Sequence, residues 1–564
     1  MGVNGDRLKK NVFFVIFSIL TLLTYLIQYF SRFFDDNRLT NWQSAFAFSD
    51  PGKVFFVLTA GIIVAWILST FSFPERRPGL FLFISSFAVA SLFWGEPEVI
   101  LDASRYFTQA KHLEVYGVGY FFREWGKDIS AWTDLPAVPF LYGLIFKVIG
   151  EKRIFIQVFT TFLFSTTVVF TYLTGKKLWD KYAGFAAGIL LLGVPYLFSQ
   201  VSLMLVDVPL MCFLSLSTFT YIRALEEGGV MIPVSSAAIF LTFFTKYSAW
   251  LMLTVLPLMT LIFSIRNRTS GARYYLYRSA LVVLWSGLLI GVVTVYKWDV
   301  IAEQIRLLMA YQKPGLRRWG ESFLSTFFFQ VHPFITAAAV YSVYAAFRKR
   351  ELKYVIIMWL PLMVLLLQIK RMRYMIMVFP FLCLMASYGL MRISEPAKIK
   401  FVSFGIAIVS ILIALFAYLP FLQKISLANL KEAGEFLNAL KGQDVTVFTP
   451  LPGNHAVNAA VAVPILDLFT DKMISYDYRA AVPADREEIL TSPLRFTWEY
   501  KNPEYYQFGH RNKAPSAFVV ISNKAGEILP PDIKKRVEGF SKIRAFDTSE
   551  NTFDYQTFVT IYFR

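Results

Sequence analysis

The sequence predicts an all-α, polytopic membrane bundle followed by a soluble α/β domain at the C-terminal end. Hydrophobic residues make up 56% of the 564 residues and charged residues only 17%, whereas about a quarter of the residues in a soluble domain are charged. The apolar residues lie in runs of about 20, the length that a helix needs to cross a bilayer core about 30 Å thick. From about residue 428 onward the composition becomes that of a soluble domain.

The apolar runs predict about thirteen transmembrane helices. The run from 229 to 264 is too long for one crossing at about 1.5 Å per residue, so we divide it at Lys246. The first run follows three basic residues and has no small-residue cleavage site after it, which indicates an uncleaved helix rather than a signal peptide. The predicted spans are 11–30, 53–73, 79–95, 153–174, 183–200, 206–224, 229–245, 247–264, 279–297, 323–347, 354–369, 374–391 and 400–421.

Basic residues accumulate in alternate loops, a pattern typical of the cytoplasmic side of a membrane protein. The pattern predicts a cytoplasmic N-terminus, and an odd number of spans then places the C-terminal domain outside the cell or inner membrane. It also accounts for the net charge of +17 without nucleic acid, for which the sequence has no binding motif. The basic residues of the predicted inner loops are Arg76, Arg77, Lys176, Lys177, Lys181, Arg266, Arg268, Arg273, Arg278, Arg348, Lys349, Arg350, Lys353, Arg392, Lys398 and Lys400.

The chain is predicted to have three parts. Residues 1–78 hold two N-terminal transmembrane helices, residues 79–425 form the main bundle with a large outer loop at 96–152, and residues 426–564 form the soluble domain. The outer loop mixes acids, aromatics and apolar residues, which suggests short helices on the membrane surface. In the soluble domain "DVTVFTP", "SAFVVIS" and "TFVTIYF" have the pattern of strands, and "LKEAGEFLNAL" and "PPDIKKRVEGF" that of helices.

Several cations lie on the predicted outer side, where positive charge does not help to orient the chain. Lys246 separates two apolar halves, and Lys370, Arg371 and Arg373 separate two later spans. Charge at a membrane edge is costly and marks a functional site by default, although long side chains also extend to lipid headgroups. Guanidinium and ammonium groups that face a cavity suit a phosphate ligand.

Carboxylates and a histidine fall on the same side. Asp102, in "EPEVILDASRYFTQA", follows a span and is placed to act as a general base. Asp207, in "SLMLVDVPLMCF", begins an apolar run, where it needs a partner or a water-filled cavity; a helix N-cap before Pro209 is the structural alternative. His332, in "QVHPFI", opens a span here and is either structural or part of the same site.

The order of these motifs resembles the GT-C membrane glycosyltransferases, and within them the protein O-mannosyltransferase and lipid A aminoarabinose transferase branch. The resemblance covers residues 79–421. Two spans precede this core, and "WTDLPAVPF" lacks the "KPP" lysine that many relatives have. The matching motifs are the Asp102 and Tyr106 pair after the first core span, "DLPAVPFLYGLIFKVIGEKR", "DVPL" at Asp207, "TKY" at Lys246, "HPF" at His332, and "RY" followed by "PF" at Arg373.

The resemblance implies a GT-C-like bundle that transfers a sugar from a polyprenyl-phosphate donor on the outer side. An acceptor hydroxyl or phosphate would attack the anomeric carbon with inversion, inside a cavity where electrostatic stabilisation is strongest. The expected partners are this donor, a lipid, glycan or protein acceptor, and membrane lipids. The implied roles are catalysis for Asp102 and Asp207, donor phosphate binding for Lys246, Arg371 and Arg373, and substrate binding for Tyr106, Asp134, His332 and Tyr374.

The sequence leaves a metal and three other functions open. Some relatives use a divalent metal, but this chain shows no clear ligand cluster, and neither its two cysteines nor His455 and His510 have metal-ligand spacing. A transporter would place ionisable groups near the bilayer midplane and show inverted repeats, neither of which is visible. A polysaccharide ligase or polymerase would use similar lipid donors, and a non-catalytic scaffold would bind a partner through the soluble domain.

Overall fold

The computed structural model describes residues 2–72, 76–267, 271–393, 395–450, 457–479, 486–507, 515–550, 552–553 and 555–564. These residues form a large helical bundle with a small sheet at one end. His455 and His510, which the sequence marks as ordinary histidines, lie outside the described residues, as does Arg268 of a predicted inner loop.

Eight helices of the described chain are long and apolar enough to cross a membrane, and a bent pair adds a ninth. The bent pair, Lys181–Leu191 and Pro195–Val201, turns by 66° at a break before Pro195, whose ring cannot continue the preceding helix. The protein is therefore an integral membrane protein. The eight helices are Val12–Phe30, Pro51–Thr70, Arg153–Leu178, Asp207–Glu227, Ser248–Arg266, Ala272–Tyr296, Met372–Leu390 and Pro396–Leu422.

The other four predicted spans fold as shorter helices, so eight or nine of the thirteen predicted spans reach the length and apolar composition expected of a membrane-crossing helix. A helix of 17 residues is only about 25 Å long, which is less than the bilayer core. The apolar runs extend beyond the ends of the helices. The run 79–95 includes a turn after Ser91. The run 323–347 is broken before Pro333. The shorter helices are Pro78–Ser91, Met231–Phe243, Pro333–Lys349 and Leu352–Leu366.

Short side chains and local caps explain how the bundle packs. The helices Arg153–Leu178 and Lys181–Leu191 pack closely at Gly184, where an added Cβ would collide with the backbone carbonyl of Tyr172. Small residues allow such close approach between membrane helices. The Asp180 carboxylate accepts hydrogen bonds from the second and third residues of its helix, which satisfies amides that otherwise have no partner.

The sheet-bearing end of the bundle carries the short helices that are predicted for loop 96–152. These helices follow one another along the chain. One helix between the first two long spans and two helices after the long span Ala272–Tyr296 complete this layer. The helices of this layer are Trp42–Ala47, Ala103–Tyr116, Val118–Glu124, Ala137–Ile149, Trp298–Leu307 and Lys313–Arg318.

The C-terminal part contains a mixed five-stranded sheet with strand order β2-β1-β3-β5-β4. β1 pairs in parallel with β2 and β3, whereas β5 is antiparallel to β3 and β4. The three predicted strands are present as β1, β3 and β5; β2 and the exposed edge strand β4 were not predicted. The strands are β1 (Asp444–Phe448), β2 (Met473–Asp477), β3 (Ala517–Ser522), β4 (Lys542–Phe546) and β5 (Phe558–Phe563).

Helices cover both faces of this sheet and attach it to the bundle. Helix Pro531–Val537 packs on one face, while helices Ala428–Ala439 and Ala462–Leu468 join the other face to the core of the bundle. Lys111 from the bundle forms ion pairs with Asp467 (2.5 Å) and Glu151 (2.8 Å) at this junction. The sheet is thus fixed directly above helix Ala103–Tyr116, which begins at the candidate site.

Candidate active site

A cavity of about 410 Å³ opens where the bundle, the short helices and the C-terminal part meet. Its walls combine charged, aromatic and aliphatic side chains from segments far apart in the sequence. The residues that line it are Asp102, Arg105, Tyr106, Trp132, Thr133, Asp134, Val206, Thr245, Lys246, Tyr247, Ser248, Leu251, Leu308, Met309, Tyr311, Gln312, Lys313, Leu316, Trp319, Ile369, Arg371, Arg373, Tyr374, Pro493, Leu494 and Phe496.

An unbroken series of ion pairs runs along the polar wall, and we call it the ion-pair chain. Lys246 Nζ lies 2.7 Å from Asp207 Oδ1, and Arg373 Nη2 lies 2.9 Å from Asp207 Oδ2. The same guanidinium places Nη1 2.8 Å from Asp102 Oδ2. Arg105 Nη2 then joins Asp102 Oδ1 (2.8 Å) to Asp134 Oδ1 (3.0 Å). The order along the wall is Lys246, Asp207, Arg373, Asp102, Arg105, Asp134.

The members of the ion-pair chain lie at the ends of helices or at breaks between them. Asp207 is the first residue of its helix and so lies at the positive end of the helix dipole. Lys246 lies between the helices Met231–Phe243 and Ser248–Met252. Arg373 lies in the first turn of the span Met372–Leu390. Such positions let charged groups reach one cavity without breaking a helix inside the bilayer.

The two carboxyls of the outer loop differ in their affinity for a proton. Burial alone would raise the pKa of Asp102, but the guanidiniums of Arg373 and Arg105 outweigh burial and hold that pKa below its usual range. Burial raises the pKa of Asp134, and Arg105 offsets only part of that rise. Asp102 is therefore a carboxylate at neutral pH, ready to accept a hydrogen bond from a substrate.

Arg371 gives the cavity an excess of positive charge. The ion-pair chain contains three cations and three carboxylates, which balance. Among the described residues, no carboxylate forms an ion pair with Arg371, whose guanidinium lies 5.6 Å from the centre of the Tyr374 ring. The ammonium of Lys246 lies 4.3 Å from the same ring. An anionic group that enters the cavity would meet in Arg371 a cation that forms no ion pair among the described residues.

The C-terminal part contributes directly to the cavity wall. Pro493, Leu494 and Phe496 line the cavity, and the Arg105 guanidinium lies 4.4 Å from the centre of the Phe496 ring. The intervening Arg495 lies over Trp132, at 5.5 Å, and over Tyr311. The segment 493–496 thus covers the ion-pair chain and reduces its access to water.

The structure brings most of the predicted site residues to this cavity. Asp207 does not line it but lies directly behind Lys246 and Arg373, with 2% of its surface exposed. The residues that line it as predicted are Asp102, Tyr106, Asp134, Lys246, Arg371, Arg373 and Tyr374.

His332 is not among the residues that line the cavity, and its predicted part in the substrate site stays a prediction. The residue is buried, and its Nδ1 accepts a hydrogen bond from the backbone N–H of Phe334. The ring therefore caps the helix Pro333–Lys349. The proline that follows His332 favours this arrangement, because it suits the first turn of a helix.

Arg105 and the aromatic residues of the 308–319 segment line the cavity but were not predicted from the sequence. Arg105 follows Asp102 by three residues on the same helix, so its spacing was a usable signal for an ion pair. Tyr311 and Trp319 gave no comparable signal, because their segment reaches the cavity only through the tertiary fold.

The polar wall does not offer a metal site. Among the described residues, no three histidine, cysteine, aspartate or glutamate side chains are grouped closely enough to hold a metal ion. Asp102, Asp134 and Asp207 each face a cation rather than one another. We therefore assign no step of the reaction to a metal.

Comparisons with known proteins identify one matching family model and two proteins of similar structure. Residues 134–294 match the family model described as dolichyl-phosphate-mannose-protein mannosyltransferase. The fold is similar to that of ArnT from Cupriavidus metallidurans, solved with undecaprenyl phosphate bound, at a TM-score of 0.53 and 11% identity over 86% of this chain and 98% of that one. The oligosaccharyltransferase AglB from Archaeoglobus fulgidus matches with a TM-score of 0.45 and 11% identity over 80% and 70%. No curated protein matches by sequence.

The fold and the family model together confirm the predicted class of protein. The chain has a fold similar to that of ArnT, and residues 134–294 match a mannosyltransferase family model, so both comparisons support the predicted class of membrane glycosyltransferases. The family model covers Asp134, Asp207 and Lys246, whereas Asp102 and Arg373 lie outside the matched range.

Proposed function

We propose that this protein transfers a sugar from a polyprenyl-phosphate-linked donor to an acceptor at the extracytoplasmic end of the bundle. The observation that carries the proposal is Arg371, which forms no ion pair among the described residues, beside a charge-balanced ion-pair chain in one cavity. A phosphodiester suits this arrangement, because a guanidinium donates two parallel hydrogen bonds to phosphate oxygens. The undecaprenyl phosphate bound to ArnT, which has a similar fold, supports the same class of donor.

The cavity has a polar wall for the phosphate and aliphatic walls for the lipid. In the proposed complex Arg371, with Lys246 and Arg373, holds the phosphate. Aliphatic side chains from Leu251, Ile369 and the 308–316 segment would contact the first prenyl units. Apolar lining with a few converging polar groups is the usual composition of a small-molecule site.

The transfer step follows from the positions of these charges. An acceptor oxygen attacks the anomeric carbon while the bond between that carbon and the phosphate oxygen breaks, and the bonding electron pair leaves with the polyprenyl phosphate. Arg371, Arg373 and Lys246 stabilise the negative charge that develops on this phosphate. Asp102 accepts a hydrogen bond from the attacking hydroxyl. It takes the proton as the new carbon–oxygen bond forms, because the hydroxyl then becomes strongly acidic and even a weak base can accept its proton. Attack from the side opposite the phosphate inverts the anomeric centre.

The remaining predicted residues have supporting roles in this proposal. Asp207 keeps Lys246 and Arg373 in place from behind the wall. Tyr106, Asp134 and Tyr374 face the cavity and provide contacts to the sugar or the acceptor.

Orientation and domain division complete the proposal. The basic loops favour a cytoplasmic N-terminus, which places the cavity and the sheet outside. The proposed parts are two N-terminal helices at 1–78, a catalytic bundle at 79–425 and an extracytoplasmic α/β domain at 426–564. The contacts of loop 96–152 with the sheet-bearing part support a common side for both.

Release of polyprenyl phosphate tests the proposed function. The purified protein is given a panel of polyprenyl-phosphate sugars together with a membrane extract as the source of acceptors. We expect release with at least one donor, and a loss of about a hundredfold or more in Asp102→Asn, because that change removes a proton acceptor that contributes on this order. Release that is unchanged in Asp102→Asn, or no release with any donor, would contradict the proposal.

A further inference from the structure

The backbone that carries Arg371 and Arg373 is held by a residue from a different segment. The helix that contains Arg373 begins at Met372, and the preceding residue, Arg371, supplies no side-chain cap. Instead the Glu321 carboxylate accepts a hydrogen bond of 2.9 Å from the backbone N–H of Met372. Glu321 is only 7% exposed and Met372 only 1%, so this contact is largely shielded from water.

The chain next to Glu321 packs closely against the same backbone. A Cβ added to Gly320 would lie 2.6 Å from the Cβ of Lys370 and 2.9 Å from the carbonyl oxygen of Leu316. Real Cβ atoms do not approach this closely, so residue 320 needs to be glycine for the two segments to meet. Glu321 and Gly320 together fix the position of residues 370–372, which include Arg371 and immediately precede Arg373.

The N-terminal helices hold Glu321 in turn. The Asp36 carboxylate, in the loop between the first two long helices, accepts hydrogen bonds from the backbone N–H of Ser322 (2.9 Å) and from its hydroxyl (3.0 Å). The neighbouring Asp35 accepts hydrogen bonds from Ser325 Oγ (2.5 Å) and Gln330 Nε2 (2.9 Å). A loop from the N-terminal part therefore clamps the segment 322–330, which starts directly after Glu321.

We propose that Glu321 is a positioning residue for sugar transfer, and that the two N-terminal helices serve the active site by holding Glu321 through Asp36 and Asp35. The inference rests on the proposed function and extends it, because it gives the N-terminal helices a part in donor binding. The connection runs from Asp36 through Ser322 and Glu321 to the backbone N–H of Met372. Arg371 and Arg373 lie on either side of that amide.

The main test compares Glu321→Ala with Glu321→Gln. The alanine variant loses the acceptor of the Met372 N–H, whereas the glutamine variant keeps an oxygen acceptor of nearly the same reach. We expect Glu321→Ala to bind polyprenyl phosphate, and to turn over donor at low concentration, about tenfold more weakly. Glu321→Gln should remain within about threefold of the wild type, because a neutral acceptor retains much of the hydrogen bond.

Asp36→Ala provides a second variant with a matched control. Asp50 lies in the same loop, but its carboxylate caps only its own helix through Gly52 and Lys53. If the connection is real, Asp36→Ala weakens polyprenyl phosphate binding and raises KM for the donor, whereas Asp50→Ala lowers thermal stability without changing either. This pair keeps the test decisive if Glu321→Ala does not fold.

Three outcomes would overturn the inference while leaving the proposed function intact. They are a Glu321→Ala variant that binds polyprenyl phosphate like the wild type, a Glu321→Gln variant as defective as Glu321→Ala, and equal effects of Asp36→Ala and Asp50→Ala on KM. A wild-type protein that neither binds polyprenyl phosphate nor releases it from any donor would instead contradict the proposed function itself.

Discussion

Asp102 and Asp207 hold similar places in the ion-pair chain, but their surroundings differ. Asp207 is 2% exposed and pairs with both Lys246 and Arg373, whereas the Asp102 side chain keeps 19% of its surface exposed. If Asp102 loses its charge, Arg373 still pairs with Asp207 and Arg105 with Asp134. If Asp207 loses its charge, Lys246 has no carboxylate partner among the described ion pairs. A buried cation without a partner is strongly destabilising.

This contrast predicts different effects of the two asparagine substitutions. Asp207→Asn should lower the free energy of unfolding by about 3–5 kcal/mol, the usual cost of removing one partner from a buried ion pair. Asp102→Asn should abolish most activity and change thermal unfolding by only a few degrees. Thermal unfolding in detergent, measured beside donor turnover, separates the two roles. Equal losses of stability would show that the two carboxylates are not distinct in this way.

At the scale of single residues, much of the site could be predicted because charge is costly near a bilayer. Five charged residues were predicted as site residues for that reason, and the structure places them at or directly behind one cavity. They are Asp102, Asp207, Lys246, Arg371 and Arg373. Residues without this signal were harder to identify. Glu321 acts on a backbone amide 51 positions away, and His332 has the residue type of a site ligand but caps a helix.

At the scale of elements, the junction between helix Ala103–Tyr116 and the sheet-bearing part contains titratable groups. Burial raises the pKa of Asp467 to about 6 and that of Glu151 to about 8. Lys111 lies between them, and although burial alone would lower its pKa, the two carboxyls raise it overall. Lys111 therefore stays charged over the pH range in which the two acids titrate.

The raised pKa values predict that this junction is more stable in mild acid. Between about pH 4 and pH 8 the folded protein binds protons on Asp467 and Glu151 that the unfolded chain has already released. Stability contributed by these groups is therefore present at low pH and falls as pH rises through about 6 and then 8. Melting temperatures measured from pH 5 to pH 8 should decrease, and Glu151→Gln should flatten the upper part of the curve. A melting temperature that rises over this range in the wild type, or an unchanged slope in Glu151→Gln, would contradict this account.

Elements were predictable where one local pattern determines them. The strands β1, β3 and β5 are apolar and flanked by turn residues, so the sequence identified them, whereas the exposed, charged edge strand β4 has no such pattern. Helix existence was predicted well, but helix ends were not. Apolar residues continue beyond the helix end at Ser91 and also precede the helix start at Pro333. Hydropathy therefore gives no sign of where the backbone changes direction.

At the scale of the whole molecule, the proposed function requires that the end of the bundle with the cavity faces away from the cytoplasm. Lys349 is exposed at the end of the helix Pro333–Lys349, and Ile528 is exposed in the sheet-bearing part. The native Cys212 and Cys383 are buried. Single cysteines introduced as Lys349→Cys and Ile528→Cys can therefore be labelled without removing the native thiols. With a membrane-impermeant maleimide on intact cells, we expect Ile528→Cys to react and Lys349→Cys to react only after permeabilisation. The reverse pattern would place the cavity in the cytoplasm.

The N-terminal helices show why the complete fold is needed to interpret the molecule. As a sequence they were two additional spans before a familiar arrangement of motifs. In the structure their connecting loop reaches the segment that supports Met372, so a part of the chain with no site motif of its own contacts the neighbourhood of the catalytic cavity.

Binding of polyprenyl phosphate to the purified protein tests the central claim most directly, because it requires no knowledge of the sugar or the acceptor. The probe is compared with a polyprenol of equal chain length, and Arg371→Ala is compared with Lys370→Ala, a neighbouring cation that does not line the cavity. We predict that the phosphate binds more tightly than the alcohol, that Arg371→Ala weakens its binding by about tenfold or more, and that Lys370→Ala leaves it unchanged. Equal affinity for phosphate and alcohol, or equal effects of the two substitutions, would contradict the account.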